Sequence, residues 1–320
     1  MNPEALALLQ QHLRSALAAA PVETRRLFHG RGRVWPGLEH VTVDWMQGVV
    51  LVSLFKQPQD HELAALIAQL QELTATVQWQ QSQAHTLLLQ HRYLPQSSTE
   101  WLLGEPIDEW VITESGLRYK VDFGKKQNSG LFLDMRYGRD WVRAQAQGKR
   151  ILNLFAYTCG FSVAAIAGGA DHVVNLDMAR AALNRGRENH HLNGHDLSRV
   201  SFLGHDLFKS WAKVTRMGPY DLIIIDPPSF QKGSFMLDKD YQRVLRRLPE
   251  LLDENGSVLA CMNDPAVGPE FLIRHTAVEA PGLRFEQRLE NPPEFPDARE
   301  DGGLKALVFK AEGESRSGWA

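Results

Sequence analysis

The sequence predicts an α/β fold, with a doubly wound parallel sheet preceded by a smaller α+β unit. Two observations predict it. Short apolar runs at residues 151–155, 172–176, 200–203 and 222–225 are separated by stretches of helical periodicity. That pattern marks parallel strands buried on both faces. Each run also ends on a polar or special residue: the first enters the loop 157–160, and the others are followed by Asp177, Asp206 and Asp226. Ligands of open α/β sheets bind beyond the carboxyl ends of the strands, so the pattern that predicts the sheet also predicts a site.

The chain has 320 residues, which suggests about two domains. We divide it into a small α+β unit over 1–105 and a ligand-binding domain over 106–320. A hydrophobic content of 43% with 23% charged residues is that of an ordinary globular protein. The net charge of −3 does not mark a nucleic-acid binder, so such a role needs a local basic patch. Cys159 and Cys261 make no disulfide framework and fit a reducing compartment. No apolar run is long enough to span a bilayer. The first 21 residues end in small residues like a leader, but Gln10, Gln11, His12 and Arg14 break the apolar run. An amphipathic helix and a cytoplasmic location are expected.

In chain order, 3–20 has helical period and 25–40 reads as a loop broken by Gly30, Gly32, Pro36 and Gly37. The runs on either side of Gln47-Gly48 read as a hairpin, and 61–73 as a helix. VQWQQ (77–81) alternates like a strand, as does the run from His85 to Tyr93, with a polar turn at 96–99. A hairpin is expected around Glu114-Ser115-Gly116. Next comes a basic stretch with Lys125, Lys126, Arg136, Arg139, Arg143, Lys149 and Arg150. It reads either as a solvated helix face or as a phosphate-binding surface. The apolar strip 130–134 would pack against the rim and offer Asp134 and Arg136 to a ligand.

The loop after the first strand precedes a helix at 161–167, whose N-terminus suits an anionic group. Only Gly160 is glycine there, and Tyr157, Thr158 and Cys159 stand where a pyrophosphate needs bare backbone. That argues against a nicotinamide dinucleotide. Asp177 can accept from two ribose hydroxyls, or cap the helix 178–193. Asp206 can contact an adenine amine, or cap 208–214. Asp226-Pro227-Pro228-Ser229-Phe230 is the most specific signal. The two prolines stiffen the corner past a buried strand and remove two donors. Phe230 on that rim suits stacking by a flat heterocycle.

With these residues in place, the chain resembles the class I S-adenosylmethionine-dependent methyltransferases. More narrowly, it resembles the bacterial ribosomal-RNA large-subunit enzymes of the guanine-N7 and cytosine-C5 type. The resemblance rests on Leu152-Asn153-x-Phe155-x-Tyr157-Thr158, the Asp226 motif, Gly116-Leu117-Arg118-Tyr119, the strip from Ser129 to Arg136, Asn193-Gly194 and the strand 304–308. It implies a Rossmann-like seven-stranded methyltransferase sheet with an antiparallel last strand. It implies S-adenosyl-L-methionine contacts at Tyr157, Thr158 and Gly160 for the methionine end, Asp177 for the ribose and Asp206 for the adenine. Phe155, Met178, Leu207 and Asp226 complete the expected cofactor set. Cys159 replaces the family's usual glycine and is expected to place a side chain beside the methionine moiety.

The expected function is methylation of RNA, a ribosomal RNA base, without membrane or metal. Methylation at cytosine C5 needs a cysteine nucleophile. The related C5 enzymes have one in the loop after strand five, whereas here Cys261 falls inside the apolar run and Asn263 occupies the rim. A nitrogen target is therefore favoured. Asp226, Pro227 and Phe230 are the catalytic candidates, and Asp134, Arg136, Arg139 and Asn263 the substrate-binding ones. Asn189-His190-His191 and His195 suggest a metal spacing, but no cysteine or carboxylate cluster completes a ligand set, so these histidines read as solvated at a helix end closed by Gly194. The segment 291–297 reads as a loop before the last strand. Alternatives are a small-molecule or protein methyltransferase, and a non-catalytic cofactor-binding module. Oligomeric state is not legible.

Overall fold

The computed structural model describes residues 1–96, 98–124, 128–228 and 235–312. The chain forms two compact units: Met1–Leu133 with Pro292–Glu300, and Asp134–Asn291 with Asp301–Ala320.

In the first unit a five-stranded sheet runs in the order β1-β2-β3-β4-β5, from β1 (Arg25–His29), β2 (Val41–Trp45), β3 (Val49–Leu54), β4 (Thr86–His91) and β5 (Ser98–Leu103). Within this sheet only β3 and β4 pair in parallel. Leu6, Leu9, Leu13 and Leu17 of helix α1 (Pro3–Ala18) and Leu66, Leu70 and Leu73 of α2 (Asp60–Thr74) lie at helical spacing and fill its core. The hairpin β6 (Glu109–Glu114) and β7 (Leu117–Asp122) completes this unit.

Three expectations here are corrected. Residues 25–29 are a strand, not part of a loop. They pair with β2, and the glycine breakers act only after His29. The segment 77–81 is helix α3 (Val77–Gln81), not a strand. Thr76 caps it by accepting from the Trp79 amide at 3.3 Å, and Trp79 is buried. The polar residues at 98–99 open β5 rather than a turn, with Gln90 opposite Thr99.

The second unit holds a seven-stranded sheet in the order β10-β9-β8-β11-β12-β14-β13. Its strands are β8 (Arg150–Leu154), β9 (His172–Leu176), β10 (Val200–Leu203), β11 (Tyr220–Ile225), β12 (Leu252–Met262), β13 (Leu283–Leu289) and β14 (Lys305–Ala311). The first five are parallel, and β14 runs antiparallel between β12 and β13. The order reverses between β8 and β11, the switch point at which such sheets bind ligands.

Alternate residues feed two cores, because side chains alternate faces along a strand. Leu152, Leu154, Ile223 and Ile225 pack with α7 (Trp211–Arg216), α8 (Leu237–Leu245), α9 (Leu248–Leu251) and α10 (Glu270–Glu279). Ile151, Leu222, Ile224 and Cys261 pack with α4 (Arg136–Gln145) and α5 (Gly160–Ala167). Helix α6 is Arg180–Leu192. The helix expected at 208–214 is instead a 3₁₀ turn, Leu207–Lys209, followed by α7.

Candidate cofactor and active site

Parallel register sets the level of the rim. Leu203, Leu176, Leu154, Ile225 and Ala260 are successive cross-strand neighbours. The residues that leave the sheet next are therefore Asp177, Phe155 and Asp226, with Asp206 a little beyond.

The loop between β8 and α5 is conformationally costly. Phe155, Tyr157 and Cys159 all take positive φ, at 58°, 48° and 63°. None is glycine, so each costs about 1 kcal/mol or more. Asp177 supports this loop directly. One carboxylate oxygen accepts from the Tyr157 amide at 2.8 Å and the other from the Ala179 amide at 2.7 Å. The acid thus orders the turn into α6 and fixes the loop after β8, while remaining partly open to solvent. Beside it, Met178 is 61% exposed. Asp206 caps the 3₁₀ turn through the Phe208 amide at 2.9 Å and is also half-buried, next to the buried Leu207. Phe155 meets Phe235 edge-on at 5.2 Å. Thr158 is buried, its carbonyl accepting from Asn189 Nδ2 at 3.0 Å.

Cys159 does not place its side chain on the rim. It is fully buried, packed with Ala156 and Leu183 beneath the loop. A Cβ built on Gly186 of α6 would fall 2.4 Å from its sulfur, so Gly186 supplies the space the thiol fills.

Under the same loop runs a polar chain that the sequence pattern did not announce. Asn153 and Asn175 stand opposite each other on β8 and β9, and Asn153 Nδ2 donates to Asn175 Oδ1 at 2.9 Å. Asn175 donates to Ser162 Oγ, which bonds His190 Nε2, both at 2.9 Å, and His190 Nδ1 meets His195 Nδ1 at 3.0 Å. His190 and Asn189 are buried, not solvated as expected. Burial, then His195 and His191, push the His190 pKa down to about 3, so it stays neutral. The signal was an asparagine in the same place within two apolar runs.

At the other side of the rim, the Asp226 carboxyl is strongly perturbed. Loss of water, followed by the neighbouring Asp134 charge, raises its pKa to about 7, and Arg139 opposes them. Asn263 Nδ2 reaches Asp134 at 3.4 Å. Arg139 is 4% exposed, so it is not part of a solvated helix face. Arg136 is half-buried. Pro227 is buried and Pro228 exposed. Tyr241, fully buried, donates to the Cys261 carbonyl at 3.0 Å and lies 3.4 Å from that of Ile225, tying the ends of β11 and β12 together. Cys261 sits within β12 with no exposure, and burial raises its thiol pKa well above the ordinary value. Phe230, Lys125 and Lys126 lie outside the described residues. Among the described residues no group of three or more His, Cys, Asp or Glu could hold a metal ion, and no helix is long and apolar enough to cross a membrane.

Residues 25–310 match the S-adenosylmethionine-dependent methyltransferase family model. The chain belongs to that family. It is 32% identical over 256 residues to ribosomal RNA large subunit methyltransferase I of Erwinia tasmaniensis, covering 78% of this chain and 63% of the relative. It is 31% identical over 244 residues to the protein of the same name from Klebsiella pneumoniae, covering 74% and 60%. The chain thus spans less than two thirds of the length of these curated relatives. A solved protein assigned as a methyltransferase, in complex with SAH, aligns with TM-score 0.82 and 25% identity over 96% of this chain and 80% of that one. The rim offers acceptors suited to the hydroxyls and amine of a nucleoside: two partly open carboxylates, Asp177 and Asp206, after adjacent strands.

Two outcomes test this geometry. Gly186→Ala forces a methyl group against the Cys159 sulfur and lowers stability by about 1–3 kcal/mol in urea unfolding; Cys159→Gly in the same chain restores it, since it vacates the space and suits the positive φ. Asp177→Ala weakens S-adenosylmethionine binding by about 10- to 100-fold in calorimetry, the effect expected for charge-assisted hydrogen bonds.

Proposed function

We propose that this protein methylates a nitrogen atom of an RNA base, in ribosomal RNA, using S-adenosylmethionine. The names of the relatives support RNA as the substrate and, with it, a cytoplasmic location. The observation that carries the choice of atom is the pairing of a buried, protonated Cys261 with the Asp226–Asp134–Asn263 group at the strand ends. A covalent C5 route needs a thiolate at the base, and Cys261 is inside the sheet. A nitrogen has its own lone pair and needs alignment more than activation.

The cofactor supplies an electrophilic methyl group on its sulfonium. The chain's part is to hold the two reactants. Tyr157, Thr158 and Gly160, with Phe155, border the methionine end. Asp177 and Met178 serve the ribose, and Asp206 and Leu207 the adenine. Asp226, at a pKa of about 7, accepts an N–H of the target base and takes its proton when it is a carboxylate. The Pro227 carbonyl is a second acceptor at the stiff corner, and Phe230 the stacking surface for the base. Asn263 and Asp134 present an amide and a carboxylate beside it, and Arg139 stabilises the ionised form of Asp226. Arg136 borders this group. The smaller unit, Met1–Leu133 with Pro292–Glu300, holds the RNA.

Mass spectrometry of ribosomal RNA nucleosides from cells with and without the gene tests the reading; no methylated base that depends on the gene sinks it. A pH profile tests Asp226. Methyl transfer should rise with pH through a midpoint near 7, and Asp226→Asn should remove turnover. The sign for stability is opposite. Folding raises this carboxyl above its unfolded pKa of about 4, so the native state holds a proton that the unfolded chain releases. Stability from this group is whole below about pH 4 and is lost progressively as pH rises through the folded value of about 7. Asp226→Asn should therefore melt higher than wild type at pH about 8 and no higher at about 4. Cys261→Ser should keep most of its activity; an inactive but folded variant would restore the covalent route.

A further inference from the structure

The first unit carries a second concentration of chemistry, between Arg25 and Arg33 and at the ends of β3 and β4. Two of its arginines are ion-paired. Arg25 pairs with Glu294 at 2.6 Å, and Arg26 with Asp44 at 2.5 Å. Arg33 reaches Asp297 only at 4.0 Å, and its Nε has no hydrogen-bond partner among the described residues. Arg31 is exposed, with neither a hydrogen bond nor an ion pair among the described residues. Its guanidinium carbon instead lies 4.1 Å from the centroid of the Phe55 ring. The guanidinium carbon of Arg92 lies 4.9 Å from the same centroid, and Arg92 donates to Asn128 Oδ1 at 2.7 Å.

This grouping is rigidly built. Arg31 stands between two glycines clamped by backbone. A Cβ on Gly30 would fall 1.8 Å from the Leu38 carbonyl oxygen, and one on Gly32 would fall 1.8 Å from that of Pro296. Phe55 and Arg92 follow strand ends held in register, Leu54 opposite His91, with the Arg92 amide donating to the Leu54 carbonyl at 2.8 Å. Three side chains from three segments thus meet at one ring.

Stability does not account for it. An exposed cation–π contact contributes about 0.5–1 kcal/mol. Loss of water, and then the Arg26 and Arg33 charges, make Arg31 less basic than an ordinary arginine, and that repulsion opposes the gain. An anion brought to the group relieves the repulsion and occupies the open guanidinium fork, a geometry matched to phosphate. On a chain of net charge −3, a polyanion can land only on a local basic site.

We propose that Arg31 and Arg92, held on Phe55, form a phosphodiester-binding site for an RNA strand on the first unit. The proposal rests on the RNA reading above and adds to it a place where the nucleic-acid backbone is held.

The test is binding of a labelled large-subunit ribosomal RNA transcript over a salt series, read by fluorescence anisotropy, on wild type, Arg31→Gln, Arg31→Lys and Arg31→Gln/Arg92→Gln. Arg31→Gln should bind about tenfold more weakly at about 50 mM salt, with a salt slope shallower by about 0.7–0.9, the value of one neutralised phosphate. The double variant should bind more weakly still. Arg31→Lys should keep the slope and lose part of the affinity, because lysine retains charge without the planar fork. S-adenosylmethionine affinity and melting temperature should be unchanged in Arg31→Gln. If wild type binds and Arg31→Gln matches it in affinity and slope, the site is wrong while the RNA reading stands. If wild type binds no transcript and produces no gene-dependent methylated base, the RNA reading fails and the site with it. Arg31-dependent binding of polyglutamate without RNA binding would make this a surface for acidic protein and overturn the proposal.

Discussion

A row of backbone pairing governs where everything in the second unit can be. Leu203, Leu176, Leu154, Ile225 and Ala260 sit side by side across five parallel strands. Parallel hydrogen bonding fixes that register, and a slip of one residue would turn each strand's core side chains to the wrong face. Because both faces are packed under helices, such a slip is strongly opposed. The chemistry-bearing residues follow this row by a residue or a few, so they share one rim without needing to contact each other in the core. The loop side and the acid side are consequences of the same level.

The rim then has two different problems. On the side of the loop after β8 the problem is strain: three non-glycine residues in left-handed conformations must persist. Their support is polar. Asp177 holds the Tyr157 amide, Asn189 holds the Thr158 carbonyl, and the chain from Asn153 to His195 runs beneath. Such a network rigidifies only when its members are satisfied, and a neutral His190 donates from one ring nitrogen and accepts at the other, between Ser162 and His195. Asn153 Oδ1 is the exception, with no hydrogen-bond partner among the described residues. The Cys159 thiol adds apolar filling, possible only because α6 has glycine at 186.

The parts legible in the sequence were those set by burial. The continuous apolar run 222–225 in β11, and the matching runs of β8, β9 and β10, announce strands covered on both sides, and their end points announce the acids. What was not legible depends on partners far away in sequence. Arg25–His29 looks like surface until β2 is beside it. VQWQQ is too short for its alternation to be told from a helical face, and the Thr76 cap decides it. Nothing in the local sequence shows that the Cys159 sulfur turns away from the rim, because that follows from the positive φ of a single residue and from a glycine on another helix. His190 looked solvated because it lies beside polar neighbours at a helix end, where only the tertiary fold reveals that it faces Ser162.

On the acid side the problem is charge. Two carboxylates, Asp134 and Asp226, converge with one buried guanidinium, Arg139. Burial first, and then the Asp134 charge, make Asp226 keep its proton to a higher pH than usual, with Arg139 opposing them. That arrangement costs stability near neutral pH, and a protein selected only for stability would remove one acid. Retaining both gives an acceptor whose protonation changes within the physiological range, beside the Asn263 amide. Tyr241, whose hydroxyl donates to the Cys261 carbonyl and lies 3.4 Å from that of Ile225, bridges the ends of β11 and β12 beside that pair. Pairing with Ala306 of β14 keeps Cys261 within the sheet with its thiol in the core, while the exposed Asn263 lies just past the end of β12.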